Sequence, residues 1–244
     1  MSLVDTEDPA VPAPVPPPES AYWRFYEEVA TAQLADWMPA SPIQVLDLSG
    51  EDRRRAQQLR DAGHSVVRVG SQRVSGTTSV VADPRSLRWV QDACVDAVLA
   101  ESEVLSLALA TEETARDLRR VLRPGGRLLV VVDSLMAGLA RLAQLGRWAE
   151  LADVPSADVV LVPGPDGTIR RCFSVEELTT LLTDVALEVD WVRSRTVLTP
   201  THIEHALDSG DPLRSLVKTE GRLAVEHQNE ALGLRLVASA RKPV

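Results

Sequence analysis

Apolar residues recur along this chain in two alternating periods. Short continuous runs at 44–48, 65–69, 79–82, 96–100 and 127–132 have the length and β-branched content of buried strands. Elsewhere, apolar positions at three- and four-residue spacing predict helices over 22–37 and 51–62 and a third between the strands at 96–100 and 127–132. Gly63 ends the second helix, and Arg123-Pro124-Gly125-Gly126 ends the third. Strand and helix in alternation predict a parallel sheet covered on both faces.

Residues 134–173 interrupt that alternation. Leu135, Leu139, Leu142, Leu145, Trp148 and Leu151 keep helical spacing and predict one long amphipathic helix. Runs at 159–162 and 169–173 flank Gly164-Pro165-Asp166-Gly167, a turn sequence suited to a β-hairpin. Ser174 with Glu177 forms a capping box that opens a helix over 175–185. A strand over 187–192, mainly helical residues at 200–229 and a last strand over 232–240 complete the pattern. The Pro-rich, acidic residues 1–20 have little to bury and are expected to form a disordered tail, leaving 21–244 as the folded unit.

Composition narrows the partners. With 244 residues and 45% hydrophobic content, the chain can bury one substantial core. A formal charge of −9 repels a phosphate backbone and argues against nucleic acid as partner. Cys94 and Cys172 lack metal-ligand spacing and are expected as reduced core thiols, with no metal site. No apolar run is long enough to span a bilayer and no secretory signal opens the chain, so a soluble cytoplasmic protein is expected.

The passage 96–133, DAVLAESEVLSLALATEETARDLRRVLRPGGRLLVVVD, resembles the middle of class I S-adenosylmethionine-dependent methyltransferases. There a helix, an Arg-Pro-Gly-Gly turn and a strand join the fourth and fifth strands. FSVEELTTLLTDVALEVDWVRSRTVL resembles the family's cap, helix and sixth strand, and LGLRLVASARK resembles its final strand. The resemblance covers about residues 20–242. It implies a doubly wound, Rossmann-like α/β sheet of seven strands, mostly parallel with an antiparallel last strand. S-adenosylmethionine is the implied cofactor, bound outside the carboxyl ends of the strands.

The same resemblance assigns cofactor roles by position. Asp47 ends the first strand, and Ser49-Gly50-Glu51 follow where the family carries alternating glycines. Gly70 and Ser71 stand where the family places an acid that binds the ribose hydroxyls. Asp83 matches the acid that accepts from the adenine amino group, while Pro84 beside it has no N–H to offer. Glu101 follows the fourth strand. The acceptor rim would be formed by Trp23 and Tyr26 on the first helix with Ser102, Asp133 and His202. Only Gly50 is a glycine in the first loop, one position out of phase, so the loop is expected to take its own path. Without a ligand, Ser49 reads as the cap of the next helix, with Glu51 and Asp52 at its positive end. Arg53-Arg54-Arg55 reads as a solvated helix face, and His202 and His205 as surface or capping residues.

Methyl transfer from a sulfonium needs no signature side chain, so no catalytic base is assigned. Two functions follow. One is a methyltransferase acting on a small-molecule acceptor. The other is a protein that kept the fold, lost the cofactor and serves as an interaction module for a protein partner. A nicotinamide oxidoreductase would need GxGxxG after the first strand, which is absent.

Overall fold

The computed structural model describes residues 20–50, 53–73, 78–102, 104–154, 159–164, 167–230 and 232–244. The tail before Ser20, Glu51 and the Pro165-Asp166 turn lie outside the described residues.

Helix α1 (Ala21–Trp37) opens at Ser20, whose hydroxyl accepts from the Tyr22 N–H. Strand β1 (Gln44–Asp47), helix α2 (Arg54–Asp61), strands β2 (Ser65–Gly70), β3 (Ser79–Val81) and β4 (Val95–Ala100) follow. The expected single helix before the fifth strand is two, α3 (Val104–Leu107) and α4 (Thr111–Val121). Arg123-Pro124-Gly125-Gly126 does not follow a turn out of α4. It lies inside the long strand β5 (Leu122–Ser134), where the β4–β5 register shifts between Val95 and Ala97 and Gly125 takes φ +76°.

The long helix expected after β5 breaks into α5 (Leu135–Gln144) and α6 (Trp148–Asp153), because Gly146 takes a left-handed φ of +66°. The hairpin forms as β6 (Val160–Pro163) against β7 (Ile169–Phe173), and the capping box forms at α7 (Val175–Asp184) with both reciprocal bonds. Strand β8 (Glu188–Ser194), helices α8 (Pro200–Asp208) and α9 (Leu213–Glu226) and strand β9 (Arg235–Arg241) complete the chain.

Strands β3, β2, β1, β4 and β5 pair side by side in parallel, and β9 runs antiparallel along β5 and carries β8. The sheet has nine strands rather than the seven expected. The two extra strands are the hairpin, and β5 explains their place. At its end Asp133 pairs with Arg235 of β9 on one edge and with Cys172 of β7 on the other. The second edge is the one β4 occupies up to Ala100 and Val130, so the hairpin continues the sheet beyond the end of β4.

Alternation along the strands sorts the side chains onto two faces. Leu46, Val98, Val130, Leu118 and Leu178 pack on the α4/α7 face. Val45, Ala97, Leu99, Leu129 and Val237 pack on the α1/α2 face with Leu34 and Leu59. Two-residue spacing carries Asp47, Arg68, Glu101, Asp133 and Arg235 to that second face, near the carboxyl ends of the strands that run parallel. Among the described residues no helix is long and apolar enough to cross a membrane. Both cysteines are free thiols, and burial pushes that of Cys172 up to about 12.

Candidate functional site

The carboxyl end of β1 begins the site. Asp47 is fully buried, and its Oδ1 accepts from the Ser49 N–H at 2.9 Å. Among the described residues its Oδ2 and the Ser49 Oγ, both buried, have no hydrogen-bond partner. Burial pushes the Asp47 pKa up to about 6, against the opposing effects of Ser49 and Arg68. The expected Ser49 cap is absent: α2 starts later, at Arg54, and its N-cap Arg53 makes no side-chain capping bond. Gly50 supplies the loop's one described left-handed residue at φ +63°, and a Cβ there would stand 3.0 Å from Ser102 Oγ.

From Gly50 the loop leans across the end of β2. A Cβ on Gly70 would meet the Gly50 carbonyl oxygen at 3.1 Å, so a side chain at position 70 needs the loop to give by a few tenths of an ångström. Arg68, one turn of the pleat earlier, is buried and donates from Nη2 to that same carbonyl. At β3, Asp83 is exposed and held by its neighbour. Arg85 donates from Nε to Oδ1 and from Nη2 to Oδ2, both at 2.9 Å, and this pairing holds the carboxyl below its usual range. Pro84 sits in the turn that Asp83 opens, with the Ser86 N–H on the Asp83 carbonyl. Ser71 is exposed beyond β2.

Glu101 is already fully engaged. Its Oε2 accepts from Arg55 Nε at 2.7 Å and its Oε1 from Arg195 Nη2. Arg55 continues to Thr31 and Glu27 of α1, while Arg195 reaches Gln33 Oε1 at 2.9 Å. The network ties the end of β4 to α1, α2 and the segment after β8. One of its members overturns the sequence expectation: Arg55 is 3% exposed, not on a solvated face, and its fellow guanidinium Arg195 is 1% exposed. Sequence reading missed Arg68 and Arg195. Arg68 had a signal, a charged residue at an inward position of the apolar strand Ser65–Gly70. For Arg195, just past β8, there was none.

At the end of β5, Asp133 meets Arg170 Nη1 at 3.3 Å and Arg235 Nε at 3.1 Å, and Ser106 Oγ accepts from its backbone N–H at 2.8 Å. Burial raises the Asp133 pKa, opposed by Arg170. Trp23 and Tyr26 stack edge to face at 5.3 Å on α1, and Tyr26 lies 6.0 Å from the Arg195 guanidinium. Tyr22, Phe25 and Val29 beside them pack with Ile203, so α8 and α9 back the helix that covers the site. His202 is exposed on α8 while Ile203 turns inward. A groove of about 400 Å³, lined by Glu112, Arg116, Arg171, Glu177 and Leu181, opens between α4 and α7 on the opposite face.

These residues fit one end of the implied cofactor better than the other. Asp47 Oδ2 and Ser49 Oγ offer two orphaned acceptors to an ammonium group. Gly70 offers the ribose no side chain at all.

Residues 29–130 match a family model described as a methyltransferase domain. The chain is 30% identical over 203 residues to uncharacterized methyltransferases of Mycobacterium bovis and Mycobacterium tuberculosis, which covers 79% of this chain and 81% of each relative. Among solved structures it is similar to the methyltransferase of a methyltransferase–activator complex from Haloferax volcanii (TM-score 0.59, 17% identity, 90% of this chain and 91% of that one). It is also similar to the 1,6-didemethyltoxoflavin-N1-methyltransferase of Burkholderia thailandensis, solved with its substrate and S-adenosylhomocysteine (TM-score 0.52, 18% identity, 95% and 94% covered).

Proposed function

This chain belongs to the class I S-adenosylmethionine-dependent methyltransferase family, and from that premise we propose that it transfers a methyl group from S-adenosylmethionine to a small-molecule acceptor. The observation that carries the reading is the pair of buried acceptors at the end of β1, Asp47 Oδ2 and Ser49 Oγ, that have no partner among the described residues. A buried polar atom left without a partner costs about 1–3 kcal/mol, which a ligand group that donates to it returns.

When bound, S-adenosylmethionine supplies a methyl group on a cationic sulfur, open to in-line displacement without protonation of the leaving group. The chain's own residues then bind and orient. Asp47 and Ser49 accept from the ammonium of the methionine end. Gly50 and Ser102 set the width of the cleft between β1 and β4, and Glu101 keeps Arg55 and Arg195 from turning into it. Trp23 and Tyr26 exclude water above the strand ends, and Asp133 with Arg170 and Arg235 forms a polar floor for the acceptor.

A small acceptor is favoured over a macromolecule by the cover that α1, backed by α8 and α9, gives this face, and by the acidic balance of −9. Nothing in the comparisons favours the alternative of a fold kept for protein interaction alone. The test is to incubate the chain with methyl-labelled S-adenosylmethionine and, separately, a small-molecule extract, RNA and a protein fraction. Chain-dependent label in the small-molecule reaction is expected. Label confined to RNA or protein contradicts the acceptor class, and label in none of them contradicts the activity.

A further inference from the structure

Asp47 and Arg68 stand opposite each other in the β1–β2 register, on the same face of the sheet. Both are buried, at 0% and 3% exposure, yet Asp47 Oδ2 and Arg68 Nε each lack a hydrogen-bond partner among the described residues. A guanidinium out of water whose donors are not all used is costly. Arg68 spends one Nη2 bond on the Gly50 carbonyl, and none of the described residues uses its Nε.

The position of the guanidinium gives this a meaning. A Cβ built on Gly70 would lie 3.8 Å from Arg68 Nη2. The tip of Arg68 therefore lies in van der Waals contact with the point where a side chain of residue 70 would begin, and residue 70 is where the family's ribose-binding acid stands. The chain carries no acceptor there and has a donor beside it.

We propose that Arg68 reads the ribose of the bound donor, giving hydrogen bonds to its hydroxyl oxygens where a carboxylate would take them. The proposal rests on the donor-binding reading of this cleft and adds a reversed polarity at one subsite. Hydroxyls serve either polarity, since each can donate or accept. An anionic group on the ribose does not: a carboxylate repels it, and a guanidinium forms charge-assisted bonds to it. The sign of a ribose phosphate's effect on binding thus separates the two designs.

The experiment measures how adenosine, adenosine 2′-monophosphate and adenosine 3′-monophosphate displace labelled S-adenosylhomocysteine from the full chain. One of the two monophosphates is expected to bind about tenfold more tightly than adenosine, the return on one charge-assisted bond in place of a neutral one. Arg68→Gln abolishes that preference. Adenosine binding more tightly than both monophosphates overturns the proposal, as does an unchanged preference in Arg68→Gln. Should Arg68→Gln fail to fold, Arg68→Lys decides. Its shorter stem and single ammonium cannot span the same site, so the preference falls at least about threefold, and an unchanged preference overturns the assignment. If labelled S-adenosylhomocysteine does not bind the unmodified chain, the donor reading falls and takes this proposal with it. If it binds and Arg68 is indifferent, only the proposal falls.

Discussion

Arg195 and Glu101 form a buried ion pair, Nη2 to Oε1, with side chains 1% and 10% exposed. It joins the segment after β8 to the end of β4, two stretches 94 residues apart. Because Glu101 also accepts from Arg55, one carboxylate compensates two buried guanidiniums. Removing it leaves Arg195 without a carboxylate and Arg55 with Glu27 alone.

Glu101→Ala is therefore expected to destabilise the fold by about 3–5 kcal/mol, the cost of breaking a buried pair by deleting one partner. Arg195→Met should cost less, since Glu101 keeps Arg55 and the buried volume stays filled. Urea unfolding of the two variants checks the order. An Arg195→Met loss equal to or larger than that of Glu101→Ala would show that the network is not centred on Glu101.

Gly233 and Gly138 are tight for different reasons. A Cβ on Gly233 would fall 2.1 Å from the Thr196 carbonyl oxygen, a backbone atom that cannot swing aside. On Gly138 it would meet Cys172 Sγ at 2.8 Å, where α5 packs on the hairpin. Gly233→Ala is expected to cost more than about 2 kcal/mol, at the upper end for overpacking. Gly138→Ala is expected to cost less, and Cys172→Ala in the same chain to recover part of it. Thermal melting of the three variants tests this, and a Gly233→Ala chain that melts with the parent would contradict the packing described.

Asp47 gives the chain a pH signature. Its pKa is raised from 3.8 to about 6, so the folded chain holds this proton more tightly than the unfolded chain. Stability from this group is full below about pH 4 and falls as pH rises toward about 6, by a few kcal/mol at ~1.4 per unit. Asp47→Asn removes the fall, so at neutral pH the variant should unfold at higher urea than the parent while the two converge near pH 4. Other carboxylates, such as Asp83, are shifted the opposite way, and the difference between parent and variant cancels them. A parent more stable than the variant at neutral pH would contradict the burial of an unsatisfied carboxylate.

What could be read from the sequence was local. The capping box at Ser174 and Glu177, the helix before and the strand after Arg123-Pro124-Gly125-Gly126 and the hairpin at 159–173 each depend on neighbours a few residues away. The break at Gly146 was hidden because Leu142, Leu145, Trp148 and Leu151 keep the helical period straight across it. Nine strands could not be told from seven, because only two residues, Asp133 and Ser134, join the hairpin to the sheet. In the site, Asp47 and Gly50 stood out by their place after a strand. Arg55 did not, since what buries it is Glu27 and Glu101, 28 and 46 residues away.

On this reading the cleft beyond β1 binds the methyl donor through Asp47, and calorimetric titration of S-adenosylhomocysteine into the parent and Asp47→Asn at neutral pH decides it. Micromolar binding to the parent is expected, with binding weaker by about tenfold or more in the variant, the loss of a charge-assisted bond to the ligand's ammonium. No heat and no thermal stabilisation of the parent at millimolar ligand would contradict it, and so would equal affinity in the two proteins.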